Sequence, residues 1–199
     1  MKDFLQQALK FSDILNQFRL VKRMLRVNGE TRWENDVEHS YQLAMLAWYI
    51  ADARKLSLDI GLLVKYALIH DLVEVYAGDT YIYSDSQDDI DSKHDREEEA
   101  RKRLQKEFAE FEELHRLIVQ YEDRRDAESK FVYALDKIQP MLNIYLDDGK
   151  TWQEKGVTLE MLVENKQDKV KISPEVKRYF DEFIRLLQDN EEKLFMHKQ

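Results

Sequence analysis

The stretch "IHDLVEVYAGD", Ile69 to Asp79, sets a histidine beside an aspartate at the end of an apolar run and follows them with two further acids, Glu74 and Asp79. Burying four ionisable groups without partners costs roughly several kcal/mol each, so they must be paired or line a wet cleft. On a helix His70 and Glu74 are four apart and Asp71 and Glu74 three apart, which predicts that all three project to one side. An imidazole beside a carboxylate supplies two ligands for Mn, Fe, Co, Ni or Zn in the divalent state and leaves room for water. With no cysteine in the chain, the missing ligands must also be histidines or carboxylates, from other helices. His39, in "ENDVEHS", and Asp136, in "ALDKIQP", are the candidates. Taken singly, His39 reads more readily as a surface or capping residue than as a ligand, and Asp136 as an exposed acid paired with Lys137 or Lys130.

The elements that must carry these residues follow from the apolar spacing. Phe4, Ala8, Phe11, Ile14, Leu15, Phe18, Val21 and Leu25 trace one stripe, predicting a first helix that ends just before Asn28-Gly29. Asn35 or Asp36 caps a second helix, and a third runs from Leu58-Asp59 to about Tyr76, with Ala77-Gly78 as a left-handed stop. Residues 79–91 are acidic and aperiodic and predict a loop. Helical patterns resume over 92–108, 111–121 and 127–146, with a kink expected at Pro140. Residues 152–165 are weakly helical, and Ser173-Pro174-Glu175 opens a last helix.

Composition agrees with an all-α protein. Of 199 residues 43% are hydrophobic, enough for one core, while five Gly and two Pro disfavour a turn-rich β-fold. We expect a single domain over 1–199, with a motif-bearing core over about 19–146 and a C-terminal helix over about 173–196. The formal charge is −9 and no block of Lys and Arg stands free of acids, which argues against a nucleic-acid polymer as partner. A small phosphorylated ligand suits the chain if positive charge gathers locally, and Lys22, Arg23, Arg26 and Arg32 precede His39, with Lys93 after the acidic stretch. No apolar window of membrane-spanning length and no signal peptide occur, so a cytoplasmic protein without membrane contact is expected.

His39, then His70-Asp71, then Asp136 resembles the H…HD…D pattern of the HD-domain metal-dependent phosphohydrolases. "ENDVEHS", "HDLVEVYAGDT" and "ALDKIQP" are similar to segments of the branch that includes the bacterial 5′-deoxynucleotidases, and the similarity covers about residues 19–143. It implies an HD-type helical bundle and one divalent metal ion (Mn, Co, Fe, Ni, Zn or Mg) on His39, His70, Asp71 and Asp136. It further implies a homodimer that hydrolyses a small phosphomonoester, foremost a nucleoside 5′-monophosphate, with metal-activated water. Glu74 and Asp79 match the two acids used beside the metal. Asp79 is expected to orient or deprotonate the water and Glu74 to bond substrate or assist the leaving alkoxide, with the opposite division open. Arg23, Arg26 and Lys93 are the expected substrate contacts, and Tyr76, Tyr81 and Tyr83 could stack on a base or ribose. The Arg-Trp pair that the branch carries on its first helix is absent, Met24 and Leu25 standing there, so its substrate specificity does not carry over. Two other functions stay open: a non-catalytic metal- and nucleotide-binding regulatory module, and a di-iron oxygenase recruiting further histidines. Among those, His115 shares the stripe of Phe108, Phe111 and Ile118, a core-edge position.

Overall fold

The first helical stripe breaks earlier than its apolar spacing suggests. In a computed structural model that describes residues 4–78 and 93–195, the side chains of Lys93 and His94 excepted, α1 spans Phe4–Phe18. Lys22–Arg26 then forms β1, paired antiparallel with β2, Trp33–Asn35. The four-residue gap from Val21 to Leu25 suits a helix, but Asn28-Gly29 turns the chain back, with Gly29 at φ +76°, a conformation that favours glycine.

Asn35 begins α2 (Asp36–Ala53) with a capping box: its side chain accepts from the Glu38 amide at 3.0 Å and the Glu38 carboxylate accepts from the Asn35 amide at 3.1 Å. That start places His39 on the buried face with Ser40, Leu43 and Ala47. Asp59 caps α3 (Ile60–Ile69). The third helix does not run on to Tyr76. Leu72 N donates to Ile69 O and Glu74 N to Asp71 O, three residues back rather than four, so the chain tightens through 70–73 before α4 (Glu74–Ala77). Gly78, at φ +75° and ψ 155°, closes α4.

The rest is helical: α5 (Lys93–Glu107), α6 (Glu112–Glu122), α7 (Ala127–Leu146), α8 (Lys150–Lys155), α9 (Leu159–Val170), α10 (Pro174–Asp189) and α11 (Glu191–Leu194). The weak pattern over 152–165 is thus two helices, parted at Gly156, which takes φ +63°. The helix α7 continues through Pro140 and is the central element, packing on α2, α3, α6, α9, α10 and β1. Its Phe131, Val132, Ala134, Leu135, Ile138 and Met141 join the main apolar cluster. A second cluster gathers Ile14, Phe18, Leu72, Val73, Ala100, Leu104, Phe108, Leu114 and Ile118, and Ile69 packs against both. Burying Leu72 and Val73 contributes about 1.5–3 kcal/mol each, which pins the 70–73 turn to the seam between the clusters. The expected all-α class holds, with the small hairpin added. Among the described residues no helix is long and apolar enough to cross a membrane.

Candidate metal centre

The helix α2 brings His39, the 70–73 turn brings His70 and Asp71, and α7 brings Asp136 to one place. His39 Nε2 lies 3.2 Å from His70 Nε2, 3.0 Å from Asp136 Oδ1 and 3.9 Å from Asp71 Oδ2. His70 Nε2 lies 3.0 Å from Asp71 Oδ2 and 3.7 Å from Asp136 Oδ1. Ligand atoms about 2.0–2.2 Å from a shared ion stand roughly 3.0 Å apart at a right angle and roughly 3.4 Å apart at a tetrahedral one. The observed separations bracket those values, so the donor set fits a divalent ion.

The outer ring nitrogens orient the imidazoles. His39 Nδ1 faces Gln139 Oε1 at 2.9 Å, and the Gln139 amide is held by donating to Gln42 Oε1 at 2.8 Å, which also accepts from Asn143. His70 Nδ1 donates to the Ala67 carbonyl at 2.8 Å. Both acceptors put the ring proton on Nδ1 and leave Nε2 as the ligand atom, as a metal-binding imidazole requires. Replacing Gln139 by Leu removes one of these acceptors while keeping the volume; we expect about 10–100-fold weaker metal binding, read by competition with a chelating dye.

Electrostatics favour a cation here. Burial opposes charge on Asp136, yet Lys137 and the two imidazoles hold its carboxyl well below the usual range. Burial likewise opposes charge on Asp71, and His70 and Arg23 hold it low. Burial followed by the Arg23 charge lowers His39, whereas at His70 the Asp71 and Asp136 carboxylates outweigh burial and push the imidazole up to about 10. Without a metal the two acids thus hold a proton on His70, the proton an ion would displace.

Glu74, the first residue of α4, is buried, and one oxygen from each of Asp36, Asp71 and Glu74 lies within 4.8 Å of the other two. Arg23 reaches into this acidic group: its Nη1 donates to Asp71 Oδ2 at 2.7 Å and to Asp36 Oδ1 at 3.2 Å. Of the expected substrate contacts, Arg23 is therefore at the site, engaged with carboxylates. Arg26 is not brought to the four ligands; it donates to Glu154 at 3.0 Å and to the Thr31 carbonyl at 2.9 Å, over the Trp33 ring. Arg32 forks onto Glu38 and so steadies the α2 cap. Met24 and Leu25 stand on β1, the first exposed and the second buried. The Tyr76 hydroxyl donates to Glu107, with Arg103 over its ring. His115 bonds the Phe108 carbonyl, a core-edge position as expected. Asp79, Tyr81, Tyr83, His197 and the side chains of Lys93 and His94 fall outside the described residues.

Three contributors were not anticipated. Gln139 sits three residues after Asp136 on the same helix face, a spacing that could have flagged it. Asp36 was weighed only as a cap, and it is fully buried against Arg23. Glu34, 3.8 Å from Arg23 Nε and 4.0 Å from His39 Nδ1, is pushed by burial up to about 7.

The chain is similar to known proteins. A family model described as "HD domain" matches residues 15–177, a span that includes the four candidate ligands. The human and bovine proteins named 5′-deoxynucleotidase HDDC2 are each 34% identical, over 142 and 140 residues, covering 69% and 65% of this chain. The chain spans just under two thirds of their length, 66% and 65%. A crystal structure from Magnetospirillum magnetotacticum MS-1, described as a predicted metal-dependent phosphohydrolase, matches at TM-score 0.78 and 29% identity over 93% of this chain and 95% of that one. An HD-domain phosphohydrolase from Listeria innocua shares the fold at TM-score 0.64 and 16% identity, over 94% of this chain and 92% of that one. With the family model covering most of its length, the chain belongs to the HD domain family.

Proposed function

We propose that the protein is a metal-dependent phosphohydrolase that cleaves a small phosphomonoester, foremost a nucleoside 5′-monophosphate. The observation that carries this reading is the convergence of two imidazole nitrogens and two carboxylate oxygens, with a buried glutamate beside them. A bound divalent ion supplies a Lewis acid that polarises a phosphate oxygen and lowers the pKa of its water. His39, His70, Asp71 and Asp136 hold that ion. The Gln139 and Ala67 acceptors keep the two rings in the ligating tautomer. Arg23 donates to Asp71 Oδ2, the same oxygen that faces His70 Nε2, and so holds that carboxylate in place. Asp79 orients or deprotonates the attacking water, and Glu74 bonds the substrate or hands a proton to the leaving alkoxide as the phosphorus–oxygen bond breaks. The names of the 5′-deoxynucleotidase relatives support a nucleotide substrate.

One metal per chain is favoured because the second carboxylate group, Asp36, Asp71 and Glu74, already holds the Arg23 guanidinium. The same reading makes the chain a homodimer, supported by the exposed Phe4, Leu5 and Leu9 along α1. The test is phosphate release from a panel of ribo- and deoxyribonucleoside 5′-monophosphates with Mn, Co or Mg. We expect release that a chelator abolishes and metal restores. No release from any member of the panel, or two irons per chain with an oxygen-dependent spectrum, would sink the proposal.

A further inference from the structure

One face of α9 is buried, and it reads Leu159, Leu162, Lys166, Val170. The spacing of three, four and four makes a single helical stripe against α7 and α10, so a lysine stands where an apolar residue belongs. Lys166 is 7% exposed, and among the described residues no hydrogen bond or ion pair reaches its ammonium. Lysine is almost never buried without a partner, because removing an ammonium from water costs more than its stem gains. Burial first, and then the charge of Lys137, push Lys166 down to about 7.

The position explains what such a residue is for. Lys166 lies on the buried face of α9, which packs against α7, the helix that carries Asp136 and Lys137, and the charges that act on it are those of Lys137, Asp136, Lys169 and Arg23. The neighbouring cations have acceptors: Lys137 pairs with Asp136, Arg23 with Asp71 and Asp36, and Lys169 donates to Asn165. Lys166 therefore brings an uncompensated donor to a site whose other positive charges are committed to its own carboxylates. A phosphate arriving there supplies the missing anion.

We propose that Lys166 is a substrate-binding residue whose ammonium donates to a non-bridging phosphate oxygen of the phosphomonoester. The proposal rests on the phosphohydrolase reading and deepens it, because it moves the recognition of the phosphate from the basic residues upstream of His39 to the C-terminal part of the chain. It also makes an inverted stability demand: a structural lysine destabilises the fold when removed, whereas an uncompensated buried one stabilises the fold when removed.

The test compares the metal-loaded wild-type chain with Lys166→Met, which suits the apolar stripe, and Lys166→Arg, which keeps the charge. In phosphate-free buffer Lys166→Met should melt at least about 3 °C above wild type. Its affinity for inorganic phosphate, measured by calorimetry, should fall on the order of tenfold to a hundredfold. Its KM for a nucleoside monophosphate should rise more than its kcat falls, and Lys166→Arg should recover part of the loss. A second measurement needs no variant: trinitrophenylation of wild-type protein, mapped by peptide mass, should be slowed at Lys166 by inorganic phosphate more than at the exposed Lys55 and Lys65. Unchanged phosphate affinity in Lys166→Met, or equal labelling with and without phosphate, overturns the proposal. If the wild type hydrolyses no nucleotide yet Lys166 governs phosphate affinity, the substrate reading fails while this one stands.

Discussion

Asp71→Ala should reduce phosphate release to the level of the chelated protein, a fall of at least roughly 10³-fold. Asp71 Oδ2 stands 3.0 Å from His70 Nε2 and receives the Arg23 guanidinium at 2.7 Å, so the substitution takes away a proposed metal ligand and the partner of a half-buried cation together. Lewis-acid stabilisation is worth several kcal/mol, and about 1.4 kcal/mol is tenfold in rate. Steady-state phosphate release together with metal content per chain checks this, and Asp71→Asn, of equal size, should fall with it. Wild-type turnover in Asp71→Ala would remove the mechanism. Stability moves in a defined direction as well. Despite burial, His70 and Arg23 hold the Asp71 carboxyl below its ordinary range, so these pairings stabilise the metal-free fold at neutral pH. A depressed carboxylate loses that contribution as pH falls below about 4, so the melting difference between wild type and Asp71→Ala should be full at pH 7 and shrink on acidification.

Glu74→Gln should separate chemistry from metal binding. Glutamine fills the same space at the start of α4 but can neither accept nor return a proton, and Glu74 groups with Asp36 and Asp71 rather than with His39, His70 and Asp136. We expect kcat to fall by about 10²–10⁴-fold with metal content at the wild-type level and KM little changed, since a positioned acid–base group contributes in that range. The pair of variants is more informative than either alone: Asp71→Ala should lose metal and rate, Glu74→Gln rate only. Metal loss in Glu74→Gln would reassign Glu74 as a ligand, and an unchanged kcat would remove it from the proton-transfer step.

The four candidate ligands can be picked out in the sequence because two of them are adjacent and the other two sit in short segments with strong local character. Asn35 and Ser173-Pro174 announced their helix starts by cap chemistry that depends only on neighbours in the chain. What misled was periodicity shared by two structures. In a helix, Arg23 and Arg26, three apart, share a face and look equivalent; on a strand an odd separation sends them to opposite faces. Hence Arg23 meets Asp71 while Arg26 meets Glu154. The Asn28-Gly29 pair held the hairpin signal, overshadowed by the stripe that seemed to run through Leu25. Residues 70–73 read as plain helix in the sequence because no residue there breaks one; the i→i−3 bonds accompany the packing of Leu72 and Val73 into the second cluster, which is tertiary information. The weak pattern over 152–165 stops one residue short of Lys166, whereas α9 runs on to Val170.

The placement of the metal centre at the seam between two apolar clusters has a consequence for how the molecule opens. His39 and Asp136 belong to helices of the main cluster, whereas His70 and Asp71 lead directly into Leu72 and Val73 of the other. An ion held by all four ties two foldons into one cooperative unit, at a strength set by its concentration over its dissociation constant. In the metal-free chain the amides of α1, α4 and α5 can exchange through openings smaller than global unfolding, and in the loaded chain those openings must first break the coordination. On the proposed coordination, metal supply would therefore set the lifetime of this part of the fold against proteolysis, besides any part it takes in turnover.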